Sequence, residues 1–331
     1  MIIEERAFAR AGLLGNPSDG YFGKTISVSI RNFGAYVELY QSPELQILDG
    51  PRDKNKFRNL NHMSEEINST GYYGGTRLVK AAIKTFTDYC KDTDIRLENK
   101  NFSIRYQTSI PRQVGMAGSS AIVTATFKAL LRFYNLEIKQ EILPNLILAA
   151  ERDELGINAG LQDRVIQVYG GCVYMDFEKS FMDNHGYGQY EQLNVKDLPN
   201  LFLAYKTSLS KVSGTVLNNI KQNYDAGDQK TLDTLQQIAQ CAEDGKKAVE
   251  SGDFKTLYKL MDKNFDLRCE IMNVSQSNIE LVQTARKCGA SVKLSGSGGA
   301  IIGFYKDDKM LKHLMVELKH LNARVIKPYV F

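Results

Sequence analysis

The sequence predicts a two-domain α+β protein, and three observations carry that prediction. The chain has 331 residues, long enough for each of two domains to bury its own core. Runs rich in β-branched and aromatic residues are interleaved with segments of helical period along the whole length. Between the two halves, residues 177–199 lose any sustained period and collect Gly, Asn and Asp, which marks a boundary. We place it at 190/191, giving domains 1–190 and 191–331.

The bulk properties exclude several classes of partner. A formal net charge of +4, spread along the chain, gives no basic face for nucleic acid, yet does not repel an anionic substrate. Five cysteines (Cys90, Cys172, Cys241, Cys269, Cys288) show neither zinc spacing nor a disulfide framework and fit a reducing compartment. The start of the chain, MIIEERAFARAGLLGN, lacks the apolar core of a signal or transit peptide, and no run reaches membrane-spanning length. These features predict a cytoplasmic protein without a membrane partner. Oligomeric state is not legible.

Strands are expected at 25–30 and 35–40, joined by a hairpin turn at Asn32-Phe33-Gly34, with a further short strand at 45–48. Residues 50–70, with Arg52, Lys54, Lys56 and Arg58 among asparagines, read as a polar insertion. Helical period returns at 76–89, and 102–108 alternates as a strand leading to Pro111. Helices follow at 120–134 and 142–154, then a strand, a Gly170-Gly171 turn and a strand over 164–176. The second half reads as a strand at 201–205, helices at 212–222, 232–251, 254–272 and 277–288, strands at 292–294 and 300–305, a helix at 309–320 and a strand at 323–327.

The segment most suited to chemistry is Ile110-Pro111-Arg112-Gln113-Val114-Gly115-Met116-Ala117-Gly118-Ser119-Ser120-Ala121. Pro111 sets the approach, while Gly115 and Gly118 allow the backbone to bend close to a ligand. The helix that follows offers unpaired N–H groups at the positive end of its dipole. An anion cradle and an ordinary Ser-capped helix start both fit this segment taken alone. Two other segments accompany it: Arg10 to Tyr21, read as a polar loop between strands, and Lys293-Leu294-Ser295-Gly296-Ser297-Gly298-Gly299 near the end. The central loop lacks the Gly-Lys-Ser/Thr ending of a Walker loop, and the last lacks Rossmann spacing.

Taken in this order, with Glu151 and Gly160-Leu161-Gln162-Asp163 between the second and third, the segments resemble the GHMP kinase superfamily over nearly the whole chain. Within it, ARAGLLGNPSDGYFGKTIS, IPRQVGMAGSSAIV and AGLQDRVIQVYGG look most like the glucuronokinases, which phosphorylate the anomeric hydroxyl of D-glucuronate with ATP. The resemblance implies an amino-terminal domain with a βαβ crossover and a ferredoxin-like carboxy-terminal domain.

It also implies roles. The loop from Pro111 through Gly115, Met116, Ala117, Gly118, Ser119 and Ser120 to Ala121 holds the ATP phosphates. Mg²⁺ takes a serine hydroxyl and a carboxylate: GMAGSSA carries an additional residue relative to the usual family wording, so counting from Gly115 gives Ser119, which we prefer, and counting back from Ala121 gives Ser120; Glu151 is preferred over Glu154. Asp163 is the general base, with Gln162 as an insertion beside it, and Arg10 is its cation. A sugar acid substrate calls for a cation, with Lys24, Arg112 and Arg164 as open choices. Asn16, Ser18 and Asp19 suit sugar hydroxyls, Tyr21 suits a ring face, and Gly296, Ser297 and Gly298 permit close approach. Other GHMP kinases of galactose, arabinose or mevalonate type, a superfamily decarboxylase, and a non-catalytic sensor on the same scaffold are the competing readings.

Overall fold

Strand β2 (Lys24–Gln41) runs through Asn32-Phe33-Gly34 without turning. The expected hairpin needs positive φ at its turn residues, and none of these three has it. Pairing on both sides of the triplet overrides the local turn signal: Lys24–Val28 pair antiparallel with β5 (Cys172–Asp176), and Ala35–Gln41 pair antiparallel with β4 (Phe102–Thr108). Strand β1 (Ile2–Leu14) pairs with β2 and contains Arg10–Leu14, which the sequence reading assigned to a loop. Its inward face is built from Ala7, Ala9, Ala11 and Leu13, and such small residues carry a weak strand signal.

This computed structural model describes residues 2–48, 74–207 and 216–330, with side chains described from 220 onward in the last span. The insertion expected at 50–70 and positions 212–215 of the expected 212–222 helix lie outside those residues.

The chain divides into two compact units. One comprises Met1–Phe8, Phe33–Ile110 and Gly118–Ala159. In it β3 (Gln46–Ile47) runs parallel to β4, and helices α1 (Gly75–Asp92), α2 (Gly118–Tyr134) and α3 (Leu143–Arg152) pack on one another. Aromatic rings fill their contact. Phe86 lies edge-on to Phe127 at 6.3 Å and stacks on Tyr134 at 5.9 Å.

The other unit comprises Ala9–Asn32, Pro111–Ala117 and Gly160–Phe331. Residues 164–169, expected as a strand, belong to helix α4 (Gln162–Tyr169). Val165 and Ile166 read as strand formers, but both are buried as adjacent positions of a helix whose Val165 N–H donates to the Leu161 carbonyl at 3.0 Å. After β5 come α5 (Lys179–His185) and β6 (Gln189–Leu193), paired antiparallel with β5 and spanning position 190.

The remainder is a four-stranded antiparallel sheet in the order β10-β7-β9-β8, formed by β7 (Leu201–Lys206), β8 (Ser291–Leu294), β9 (Ala300–Phe304) and β10 (Ala323–Ile326). Helices α6 (Val216–Asp225), α7 (Gln229–Ser251), α8 (Phe254–Ile271) and α9 (Gln276–Lys287) fall between β7 and β8, and α10 (Asp308–Lys319) falls between β9 and β10. This is the ferredoxin-like strand order with additional helices in its first crossover. Phe202, Leu281, Val292, Ile301 and Leu314 lie in its core. Asp228, Asp253 and Asp307 cap α7, α8 and α10 by accepting from Thr231, Thr256 and Met310 N–H groups.

Truncating Phe86, which is 1% exposed, leaves a ring-sized void among Phe127 and Tyr134. Phe86→Ala is expected to lower unfolding stability by about 3–5 kcal/mol, seen as a lower urea midpoint at unchanged slope.

Candidate functional site

Arg10 is the centre of the arrangement. Its side chain, on β1, is buried to 7% exposure. Nε donates to Asp163 Oδ1 at 2.5 Å, and Nη1 donates to the carbonyls of Gly115 at 2.7 Å and Ser295 at 3.0 Å. One guanidinium thus holds the predicted base and both glycine loops, a task suited to its rigid, multi-donor plane. The backbone reinforces it, because Arg10 N–H donates to the Met116 carbonyl and Gly12 N–H to the Ser295 carbonyl.

Asp163 stands in the first turn of α4, where the helix dipole favours negative charge. Burial alone raises its pKa, but the charges of Arg10 and Arg164, with the Arg10 hydrogen bond, outweigh this and hold the carboxyl below its usual range. Arg164, buried beside it, lies 3.7 Å from Asp163 Oδ2 and donates to the Gly160 carbonyl at 2.9 Å. Asp19 is the opposite case. Burial first, and then the Asp163 charge, push its carboxyl up to about 6, against Arg10, the Gln162 N–H and Arg164. Two neighbouring carboxyls with pKa values driven apart are a common mark of an acid–base site.

The loop Pro111–Ala117 is sharply bent: Gln113, Gly115 and Ala117 all have positive φ, at 56°, 64° and 59°. Ala117 adopts this uncommon conformation while its carbonyl accepts from Gln167 Nε2 at 2.8 Å. A Cβ on Gly115 would stand 2.8 Å from Ser297 N and 2.9 Å from the Gly298 carbonyl oxygen. A Cβ on Gly296 would stand 2.2 Å from the Gly115 carbonyl oxygen. These glycines are therefore required by close approach of two backbones.

The remaining predicted residues divide by what they touch. Lys24 is neutralised by Glu243 at 2.5 Å and Asp176 at 3.5 Å, and Ser18 Oγ donates to the Lys24 carbonyl. Asn16 is buried, and its Oδ1 accepts from Lys293 Nζ. The Tyr21 ring meets Tyr224 at 4.8 Å. Arg112 and Ser297 are exposed, and Met116 is buried.

In the first unit, Ser120 and Ala121 are fully buried in the first turn of α2 and Gly118 and Ser119 half-buried. Glu151 is fully buried on α3, whereas Glu154 forms a surface ion pair with Lys84 at 2.7 Å. A buried carboxylate and a half-buried hydroxyl are the hard oxygen donors that Mg²⁺ prefers. Among the described residues no group of three or more His, Cys, Asp or Glu is gathered as a metal cluster.

Sequence reasoning passed over a polar wall behind the Gly12–Asp19 segment. Lys293, fully buried, donates to the carbonyls of Gly12 at 3.0 Å and Leu294 at 2.9 Å as well as to Asn16. Burial, then the charges of Arg268 and Arg10, depress its pKa well below the ordinary lysine value. Asn264 Oδ1 accepts from Gly15 N–H at 2.8 Å. The signal was present in α8: Leu257, Met261, Asn264, Arg268 and Ile271 share one helical stripe, and two of these five are polar.

A buried carboxylate held by arginine beside two glycine loops, on an α+β scaffold with a ferredoxin-like second sheet, points to a small-molecule kinase of GHMP type. Residues 77–171 match the family model "GHMP kinases N terminal domain" and residues 246–318 match "GHMP kinases C terminal", and the chain belongs to this family. Glucuronokinase 1 of Arabidopsis thaliana is 46% identical over 308 residues, covering 91% of this chain and 84% of that protein. Probable glucuronokinase 2 of the same plant is 44% identical over 334 residues, covering 99% and 91%. Among solved structures, Lactococcus lactis galactokinase complexed with galactose superposes with a TM-score of 0.77 at 15% identity, covering 99% of this chain and 93% of that one. Streptococcus pneumoniae phosphomevalonate kinase does so at 0.75 and 18% identity, covering 100% of both chains. These two share the fold. No helix among the described residues is long and apolar enough to cross a membrane.

The raised carboxyl of Asp19 has a stability consequence. Its folded-state value of about 6 exceeds the ordinary 3.8, so the folded protein binds this proton more tightly, and stability falls as pH rises between those values. Asp19→Asn is expected to stabilise the protein by about 2 kcal/mol at pH 7–8 and by almost nothing near pH 4, read by urea denaturation at both pH values.

Proposed function

We propose that this protein is an ATP-dependent sugar-1-kinase that converts D-glucuronate to D-glucuronate 1-phosphate. The observation that carries the chemistry is Asp163, kept ionised by Arg10 and Arg164 while Arg10 is hydrogen-bonded to both glycine loops. The substrate assignment is supported by the two plant relatives, which match nearly the full chain at 44–46% identity.

Asp163 accepts the proton of the anomeric hydroxyl as its oxygen forms a bond to the γ-phosphorus. The bond from that phosphorus to the β,γ-bridging oxygen breaks, and ADP leaves. An anomeric hydroxyl is more acidic than an ordinary alcohol, so a carboxylate of lowered pKa suffices for alignment and proton removal. Arg10 fixes the carboxylate and keeps it charged, and the Pro111–Ala121 segment holds the phosphates through N–H groups. Mg²⁺, when bound, neutralises phosphate charge, and Ser119 and Glu151 are the residues that would hold it. Asp19 and Tyr21 face the sugar, with Gly296, Ser297 and Gly298 allowing close approach. We take 190/191 as the division between the family's two domains, and the cytoplasm, which keeps the five free cysteines reduced, as the working compartment.

ADP release is expected with D-glucuronate and not with galactose, arabinose, homoserine or mevalonate, across one acceptor panel. Turnover of a neutral sugar or mevalonate alone would replace the substrate assignment. Nucleotide binding without any turnover would favour a sensor, and carbon dioxide release a decarboxylase. Asp163→Ala is expected to reduce kcat by roughly 10³-fold or more while ATP affinity, measured by calorimetry, stays within a few-fold. Ser119→Ala is expected to raise the Mg²⁺ concentration needed for half-maximal activity more than Ser120→Ala does.

A further inference from the structure

Among the described residues Arg268 has no counter-ion. It sits near the end of α8, 2% exposed, and its Nε donates to Met272 Sδ at 3.1 Å, a weak acceptor. Nη1 is buried and has no hydrogen-bond partner among the described residues. The contrast with three neighbouring cations is sharp: Lys24 has Glu243 and Asp176, and Arg10 and Arg164 share Asp163. A buried, unpartnered guanidinium is costly to fold around, and in a native protein such a group calls for an explanation.

The helix geometry says where it faces. Asn264, one turn earlier on the same stripe, grips Gly15 N–H and donates to the Asn16 carbonyl, so this face of α8 is packed on the segment that leads into Asp19. Arg268 also feels the charges of both Arg10 and Asp19. A second orphan flanks the same segment. Gln162 Oε1 is buried without a partner, and the Gln162 amide approaches so closely that a Cβ on Gly12 would stand 2.8 Å from its Nε2. An unmet donor and an unmet acceptor thus line the Gly12–Asp19 segment. Charge tells the same story: among the described residues Arg10, Arg164, Arg268 and Lys293 are buried around two carboxylates, Asp19 and Asp163. Even with Lys293 neutral, the cations outnumber the carboxylates.

We infer that Arg268 is the anion anchor of the acceptor site, receiving the carboxylate of a sugar acid while Gln162 Oε1 accepts from a neighbouring hydroxyl. This rests on the kinase reading above and supplies its specificity. A carboxylate is the ligand that fits a planar, multi-donor guanidinium and balances the surplus charge. It also displaces Lys24 and Arg164 from that role, since each already faces a carboxylate of the protein.

The test compares D-glucuronate with its neutral isostere D-glucuronamide in the wild type and in Arg268→Met. The wild type is expected to prefer the acid by about 100-fold in kcat/KM, and Arg268→Met to raise KM for the acid by about that factor. KM for ATP and turnover of the amide should remain within a few-fold. Thermal stability of Arg268→Met should be unchanged or higher, because a buried unpaired charge has been removed; a purely structural arginine would instead lower it and impair both acceptors alike. A preference that survives in Arg268→Met, or a change confined to KM for ATP, overturns the inference.

Should Arg268→Met not fold, Arg268→Lys serves. It is expected to keep a preference for the acid but with a raised KM, and unchanged kinetics overturn the proposal. Ligand-induced thermal shifts separate the two claims. If D-glucuronate stabilises the wild type but not Arg268→Met, and no ADP forms, the kinase assignment fails while the anchor stands. If neither D-glucuronate nor D-galacturonate shifts the wild type, the anchor fails.

Discussion

The buried guanidinium of Arg10 is the constraint on which the rest of the site depends. Its hydrogen bonds span three distant stretches of chain: the start of α4, the Pro111–Ala117 loop and the glycine turn after β8. Withdrawing such a charge from water is unfavourable, and only a paired carboxylate together with saturated donors offsets it. The close backbone approach at Gly115 and Gly296 follows, because the two carbonyls that Arg10 binds must converge on one nitrogen. A lysine at this position would carry a point charge without the planar, multi-donor fork that fits a carboxylate edge-on while meeting two carbonyls.

The same cation sets the division of labour between the carboxyls. Asp163 receives a direct hydrogen bond and two positive neighbours, which overcome its burial and leave it ionised. Asp19 has only a 3.4 Å backbone N–H contact and more distant cations, so burial and the Asp163 charge dominate. Two aspartates that look alike in the sequence thus acquire different protonation behaviour from placement alone. The surplus of cations around them gives the unit a local preference for anions far stronger than the modest net charge of +4 suggests.

Much of the fold was legible because local and global preferences agree. Strand 102–108 and the helices over 254–272 and 277–288 have clear periods, and they lie within a few residues of where their patterns put them. The misread segments are those where tertiary pairing outvoted local chemistry. Asn32-Phe33-Gly34 has turn composition but is held straight by ladders on either side. Val165-Ile166 has strand composition but is helical. Arg10–Leu14 was read as a loop because alternating small residues hide a strand whose inward face is alanine. Arg268 and Lys293 went unread because a cation in an amphipathic helix or short strand is ordinarily solvent-facing, and only packing shows that these two are not.

The sequence by itself determined the family, the order of the motifs and the candidates for phosphate, metal and proton work, because close backbone approach admits few residue types other than glycine and charge chemistry admits few others than Asp, Glu and Arg. Tertiary structure decided which of several equivalent residues is neutralised and which is left with unmet hydrogen-bonding capacity. Lys24 and Arg268 are both cations on paper. Among the described residues one is ion-paired with two carboxylates and the other with none, a difference that only packing could reveal.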